Sequence, residues 1–161
     1  MTLALVNPES HALEEQPRPM LKVASHAYRG GRSESTEALQ KSSPVVLIVE
    51  DELLLRMLAV EVVEEAGFIA IEAGDADEAV VLLESRTDIT LLFTDINMPG
   101  TMDGLKLAHA VRARWPPIKI LVVSGKQRLQ PSELPSNSCF VGKPYQVAAL
   151  VEELRSLIGS P

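Results

Sequence analysis

Three short apolar runs in this chain each end in a reactive polar group. Val45-Val-Leu-Ile-Val49 runs into Glu50-Asp51, Leu91-Leu-Phe-Thr94 into Asp95, and Cys139-Phe-Val-Gly142 into Lys143. Brought to one place, the carboxylates would repel one another and raise each other's pKa unless a cation sat between them. Mg²⁺ suits that position, because it prefers oxygen ligands, takes few from the protein and keeps several waters. Asp51 and Asp95 would bind it directly, Glu50 would bind through water, and a backbone carbonyl near Asn97 could add another oxygen. A metal-bound aspartate can also attack a phosphoryl group and become an aspartyl phosphate. The transferring oxygens then need positive charge and hydrogen bonds. Lys143 can supply the charge. Ser124, closing Val122-Val-Ser-Gly125, can supply a hydroxyl.

These groups meet only if the runs are parallel strands of one sheet. From Pro44 onward the sequence alternates in that way. Val45–Val49 is a continuous β-branched run, as a strand buried on both faces should be. Residues 53–66 predict a helix with Leu55, Leu58, Ala59, Val62 and Ala66 on its buried stripe and Gly67 just past its end. A second strand is expected at 68–72, then a short helix to Ser85 capped by Asp75 or Asp77. The third strand spans 89–94. After a loop from Met98 to Gly104, a helix runs to Arg114 and is stopped by Trp115-Pro-Pro117. Strands at 118–123 and 139–142 and a last helix at 145–158 complete the series. The stripe of that helix is Leu150, Leu154, Leu157 and Ile158. Five strands alternating with helices predict an α/β fold, a flavodoxin-like doubly wound five-stranded parallel sheet in the order 2-1-3-4-5. Ligands of such sheets bind at the carboxyl ends of the strands, here between the first and third. Pro131 and Pro135 leave room for only a turn or so between Gly125 and Ser138, so helix four is expected to be short or degenerate.

Composition narrows the function classes. The 161 residues are 46% hydrophobic and 23% charged, with a net charge of −7, which suits a globular domain and disfavours nucleic acid. No apolar run approaches the roughly 18–20 residues of a membrane span. The short patch from Leu3 to Val6 lacks the flanks of a secretory signal. The lone Cys139 excludes an internal disulfide and fits the cytoplasm. Residues 1–43 hold five acids and five bases, several prolines and glycines, and no lasting apolar period. They read as a disordered tail before a domain at 44–161.

The strand-end motifs resemble the receiver domain of bacterial two-component response regulators. The matching pieces are Val49-Glu-Asp-Glu52, Thr94-Asp-Ile-Asn-Met-Pro-Gly100 with Met102-Asp-Gly104, Val122-Val-Ser-Gly125, and Phe140-Val-Gly-Lys-Pro144. The shape is similar to single-domain, chemotaxis-regulator-like proteins of alphaproteobacterial type. The resemblance implies that Asp95 is the phosphoacceptor and that Glu50 and Asp51 are the acidic metal pair for Mg²⁺. It implies that Ser124 follows the phosphoryl group, that Phe140 is the aromatic switch, and that Lys143 and Pro144 are joined by a cis peptide. Asn97 and Lys126 fall where such domains tune phosphoryl lifetime. The donor would be a sensor histidine kinase or a phosphotransfer protein. Output would pass to a protein partner, with a homodimer open, and without nucleic acid or membrane. The loop after Asp95 is one residue longer than the usual form, so a bulge is expected. Phe140 lacks a hydroxyl, so packing alone could hold an inward ring.

Three functions compete. The first is the phosphoaccepting signalling module just described, which is not an enzyme acting on separate substrates and has no DNA-binding domain. The second is a phosphatase with an aspartyl-phosphate intermediate, but its general acid would fall at Asn97, which cannot transfer a proton. The third is a degenerate receiver-fold scaffold, or a phosphate sink. Outside the site, His109 reads as a surface residue, Trp115 as packing at a helix end, and Cys139 as a small buried hydrophobe.

Overall fold

A strand with no polar position needs cover on both faces. β1 (Val45–Val49) is such a strand, with all five residues buried. In the computed structural model, which describes residues 43–125 and 129–160, β1 sits second in a five-stranded sheet. The other strands are β2 (Ile69–Ala73), β3 (Ile89–Asp95), β4 (Lys119–Ser124) and β5 (Ser138–Gly142). The order is β2-β1-β3-β4-β5 and every pairing is parallel. This is the flavodoxin-like doubly wound arrangement expected from the sequence. The tail expected at 1–43, Ser43 excepted, and Lys126 fall outside the described residues.

Alternation along each strand splits the core in two. Val45, Leu47 and Val49 face one side with Leu92, Ile120 and Val122, under α2 (Ala76–Ser85) and α3 (Gly104–Arg114). Val46 and Ile48 face the other side with Leu91, Phe93, Leu121 and Val123, under α1 (Leu53–Glu65) and α4 (Val147–Ile158). The register lines up the carboxyl ends: Val49 pairs with Thr94, Asp95 with Val123, and Ser124 with Gly142.

The helix ends follow capping chemistry. Asp75, not Asp77, caps α2, its side chain accepting the Glu78 N–H at 2.8 Å. Asp103 caps α3 in the same way through Lys106. Gly67 has φ +92°, and the Gly67 and Phe68 N–H groups donate to the Glu64 and Val63 carbonyls. These two bonds make a Schellman end. α4 begins at Val147, two residues later than expected, with Gln146 at its N-cap.

The stripe of α1 differs from the expectation. Ala59, Val62, Val63 and Ala66 are buried, whereas Leu58 is 56% exposed and Leu55 half-buried. The helix is apolar on more than one side, so two stripes satisfied the same period. The row of small and β-branched residues allows the closer approach to the sheet. Leu53, Leu54 and Met57 are left outside with Leu58.

Between β4 and β5, a single 3₁₀ turn at Pro131–Glu133 stands among residues 129–137 where a helix would complete the alternation. His109 of α3 is exposed and its Nε2 meets the Glu133 carbonyl at 2.8 Å. Trp115 is half-buried at the end of α3 with the Arg114 guanidinium 4.3 Å above its ring. Cys139 is half-buried rather than buried, because its thiol turns toward Glu153 on α4. Among the described residues, no helix is long and apolar enough to cross a membrane.

Candidate functional site

At the carboxyl edge, β1 ends at Val49, Glu50 follows, and the chain bends at Asp51 and Glu52. The Glu50 side chain is almost wholly buried and its Oε2 lies 2.6 Å from Lys143 Nζ. The same ammonium lies 3.0 Å from Asp95 Oδ1. Lys143 follows β5 directly, and its N–H donates to the Ser124 carbonyl at 2.8 Å. The Lys143-Pro144 bond is cis. Asp95 closes β3 and is 5% exposed. Its second oxygen, Oδ2, accepts the Asn97 N–H at 2.8 Å. Such a turn fixes the carboxylate against its own backbone.

Glu50, Asp51 and Asp95 each bring one carboxylate oxygen to within 4.8 Å of the other two. Glu50 and Asp95 are buried and Asp51 is half-buried, so one flank of the cluster stays open to water. Oxygen-only donors with an open flank are what Mg²⁺ takes, and these residues fit it. Burial pushes the Glu50 carboxyl above its ordinary value, and Lys143 offsets part of that rise. Burial alone would lower Lys143, but its hydrogen bonds to Glu50 and Asp95 and the attraction of their charges together outweigh burial and hold the lysine above its ordinary value. The ammonium is therefore charged at neutral pH. Burial also raises the Tyr145 phenol.

Ser124 ends β4, 2% exposed, and its Oγ accepts a hydrogen bond from Asn97 Nδ2 at 3.0 Å. Asn97 thus touches Asp95 through its backbone and Ser124 through its side chain. Phe140 pairs with Val122 in the sheet and is half-buried, packed on the core beneath α2 and α3. Glu50, Asp51, Asp95, Asn97, Ser124 and Lys143 therefore come together at one edge, with Pro144 next in the chain.

Arg56 escaped the sequence reading, and Gly104 entered it only as the last residue of a motif. Arg56 of α1 donates from Nη1 to the Glu50 carbonyl at 2.6 Å. Nothing local in the sequence marks it. Gly104 opens α3 against the end of β3. A Cβ there would lie 1.7 Å from the Asp95 carbonyl oxygen and 2.6 Å from Thr94 Oγ1. A glycine just inside a helix start, directly after its cap, was a readable sign of close approach.

Comparison with known proteins agrees with this geometry. Residues 46–155 match the model of the response regulator receiver domain. The response regulator receiver protein CpdR of Brucella abortus (strain 2308) is 30% identical over 116 residues, which cover 70% of this chain and 95% of that protein. The sensor kinase CckA of the same organism is 30% identical over 120 residues, 72% of this chain but 13% of the kinase. A crystal structure of a response regulator receiver protein from Sinorhizobium medicae WSM419 superposes with a TM-score of 0.67 at 26% identity, covering 71% of this chain and 94% of that one. By both sequence and architecture, the chain belongs to the receiver domain family of two-component response regulators.

Proposed function

We propose that residues 44–161 form a receiver module that accepts a phosphoryl group on Asp95 from a histidine kinase or phosphotransfer protein. The observation that carries this reading is the Lys143 ammonium, bonded at once to Glu50 and Asp95 beside a third carboxylate. An Asp95 oxygen attacks phosphorus, and the phosphorus–nitrogen bond to the donor's histidine breaks. The electron pair leaves with the imidazole, which takes a proton from water as it departs. Glu50, Asp51, Asp95 and the Asn97 carbonyl would hold Mg²⁺, which when bound neutralises charge on the transferring oxygens. Lys143 contributes its fixed charge at the same oxygens. Ser124 turns its hydroxyl from Asn97 toward the phosphoryl group, and Phe140 repacks behind it. Asn97 and Lys126 set how long the phosphoryl group survives.

Exposed Leu58 of α1 and Val147 of α4, with half-buried Leu55, line a cleft beside Lys143 and Tyr145. That apolar surface suits a donor helix carrying the phosphohistidine. Output to a protein partner rather than nucleic acid fits the net charge of −7, and a place in the cytoplasm fits the lone Cys139. The test is label transfer from an autophosphorylated histidine kinase, with and without a chelator of Mg²⁺. Label that reaches the chain only when Mg²⁺ is present supports the proposal. Label that never arrives, or arrives equally in chelator, counts against it.

A further inference from the structure

We infer that Arg56 is a positioning residue for the acidic pair and that it sets how tightly the site holds Mg²⁺. The inference rests on the phosphoacceptor reading. Successive residues of a strand point to opposite faces, yet Glu50 and Asp51 serve one cluster. They can do so because β1 ends at Val49 and the backbone bends at Asp51 and Glu52. That bend needs holding. The Glu50 N–H donates to Ala73 of β2 at 3.3 Å, and the Glu50 carbonyl accepts from Arg56 Nη1 at 2.6 Å. Glu50 is thus tied on both sides of its Cα, and the peptide that Arg56 grips is the one joining the two carboxylate residues.

Arg56 is itself held. Its Nε lies 3.3 Å from Glu72 Oε2 on β2, and its backbone N–H donates to the Glu52 carbonyl at 2.9 Å in the first turn of α1. The side chain is 18% exposed. A guanidinium can serve both oxygens because its donors form a rigid fork, whereas a lysine can reach one or the other. Arg56 supplies no oxygen to a cation. It acts by fixing where Glu50 and Asp51 point, as partners behind a ligand do.

The test is calorimetric titration of the full chain with Mg²⁺ alone, for wild type, Arg56→Gln, Arg56→Lys and Glu72→Gln. Arg56→Gln is expected to weaken Mg²⁺ binding about tenfold. Arg56→Lys should recover part of the loss, and Glu72→Gln should give a smaller loss. With a small acyl phosphate as donor, the Mg²⁺ concentration giving half the maximal rate should rise by the same factor. The rate at saturating Mg²⁺ should hold. Wild-type affinity in Arg56→Gln overturns the inference and leaves the phosphoacceptor reading intact. A fall in the saturating rate with affinity unchanged overturns it as well. If Arg56→Gln does not fold, wild-type affinity in both Arg56→Lys and Glu72→Gln has the same consequence. A wild-type chain that binds no Mg²⁺ overturns the phosphoacceptor reading and this inference with it.

Discussion

Cys139 and Lys143, four residues apart, carry opposite lessons about charge beside a half-buried group. Lys143 faces two carboxylates and is held charged. The Cys139 thiol faces one, donating to Glu153 Oε1 at 2.7 Å, and is held neutral. Burial, then the Glu153 carboxylate, push the thiol up to about 12. A free thiol titrates near 8.5, so at pH 8 alkylation of the folded chain should run at least about a hundredfold slower than that of a model thiol. Unfolding in urea should restore the ordinary rate, and Glu153→Gln should raise the folded rate. A fast reaction in the folded chain would contradict this assignment. Because the folded value lies above the unfolded one, this thiol's contribution to stability is full below about pH 8.5. It is lost as the pH climbs toward 12. At this scale the sequence was legible where a reactive residue closed an apolar run, as at Glu50, Asp95 and Lys143. Arg56 was not, because its partners, the Glu50 carbonyl and Glu72, meet it only through the fold.

α3 starts hard against the end of β3. The Gly104 N–H donates to the Ile96 carbonyl at 3.0 Å, with no room for a methyl group beside the Asp95 carbonyl. Gly104→Ala must push α3 away from β3 or displace Asp95. Overpacking of this kind costs about 1–3 kcal/mol. We therefore predict a lower midpoint in urea for Gly104→Ala, together with slower phosphorylation of Asp95. An unchanged midpoint would mean that the helix start yields freely. Strand identities were readable because β1, β3 and β4 each carry a continuous apolar run buried on both faces. The phase of α1 was not readable, because Leu58 and Ala59 both fit a helical stripe and only packing against β1 and β2 separates them. The short connection before β5 was readable from Pro131 and Pro135. Its attachment to α3 through His109 and the Arg112–Asn137 contact at 3.1 Å was not.

Across the whole molecule, sheet order converts four distant sequence positions into one site. Ligation across strand ends should therefore stabilise the entire domain. At a Mg²⁺ concentration about a hundredfold above its dissociation constant, mass action contributes about 2.7 kcal/mol. We predict a higher Tm in Mg²⁺ that a chelator reverses, with most of the rise missing in Asp51→Asn. Equal rises in both proteins would place the cation elsewhere. The most direct test of the account is the intact mass of the chain after incubation with Mg²⁺ and a small acyl phosphate. The account predicts one added phosphoryl group, stable to acid, removed by hydroxylamine, and missing from Asp95→Asn. An unmodified wild-type chain, or equal modification of Asp95→Asn, would contradict it.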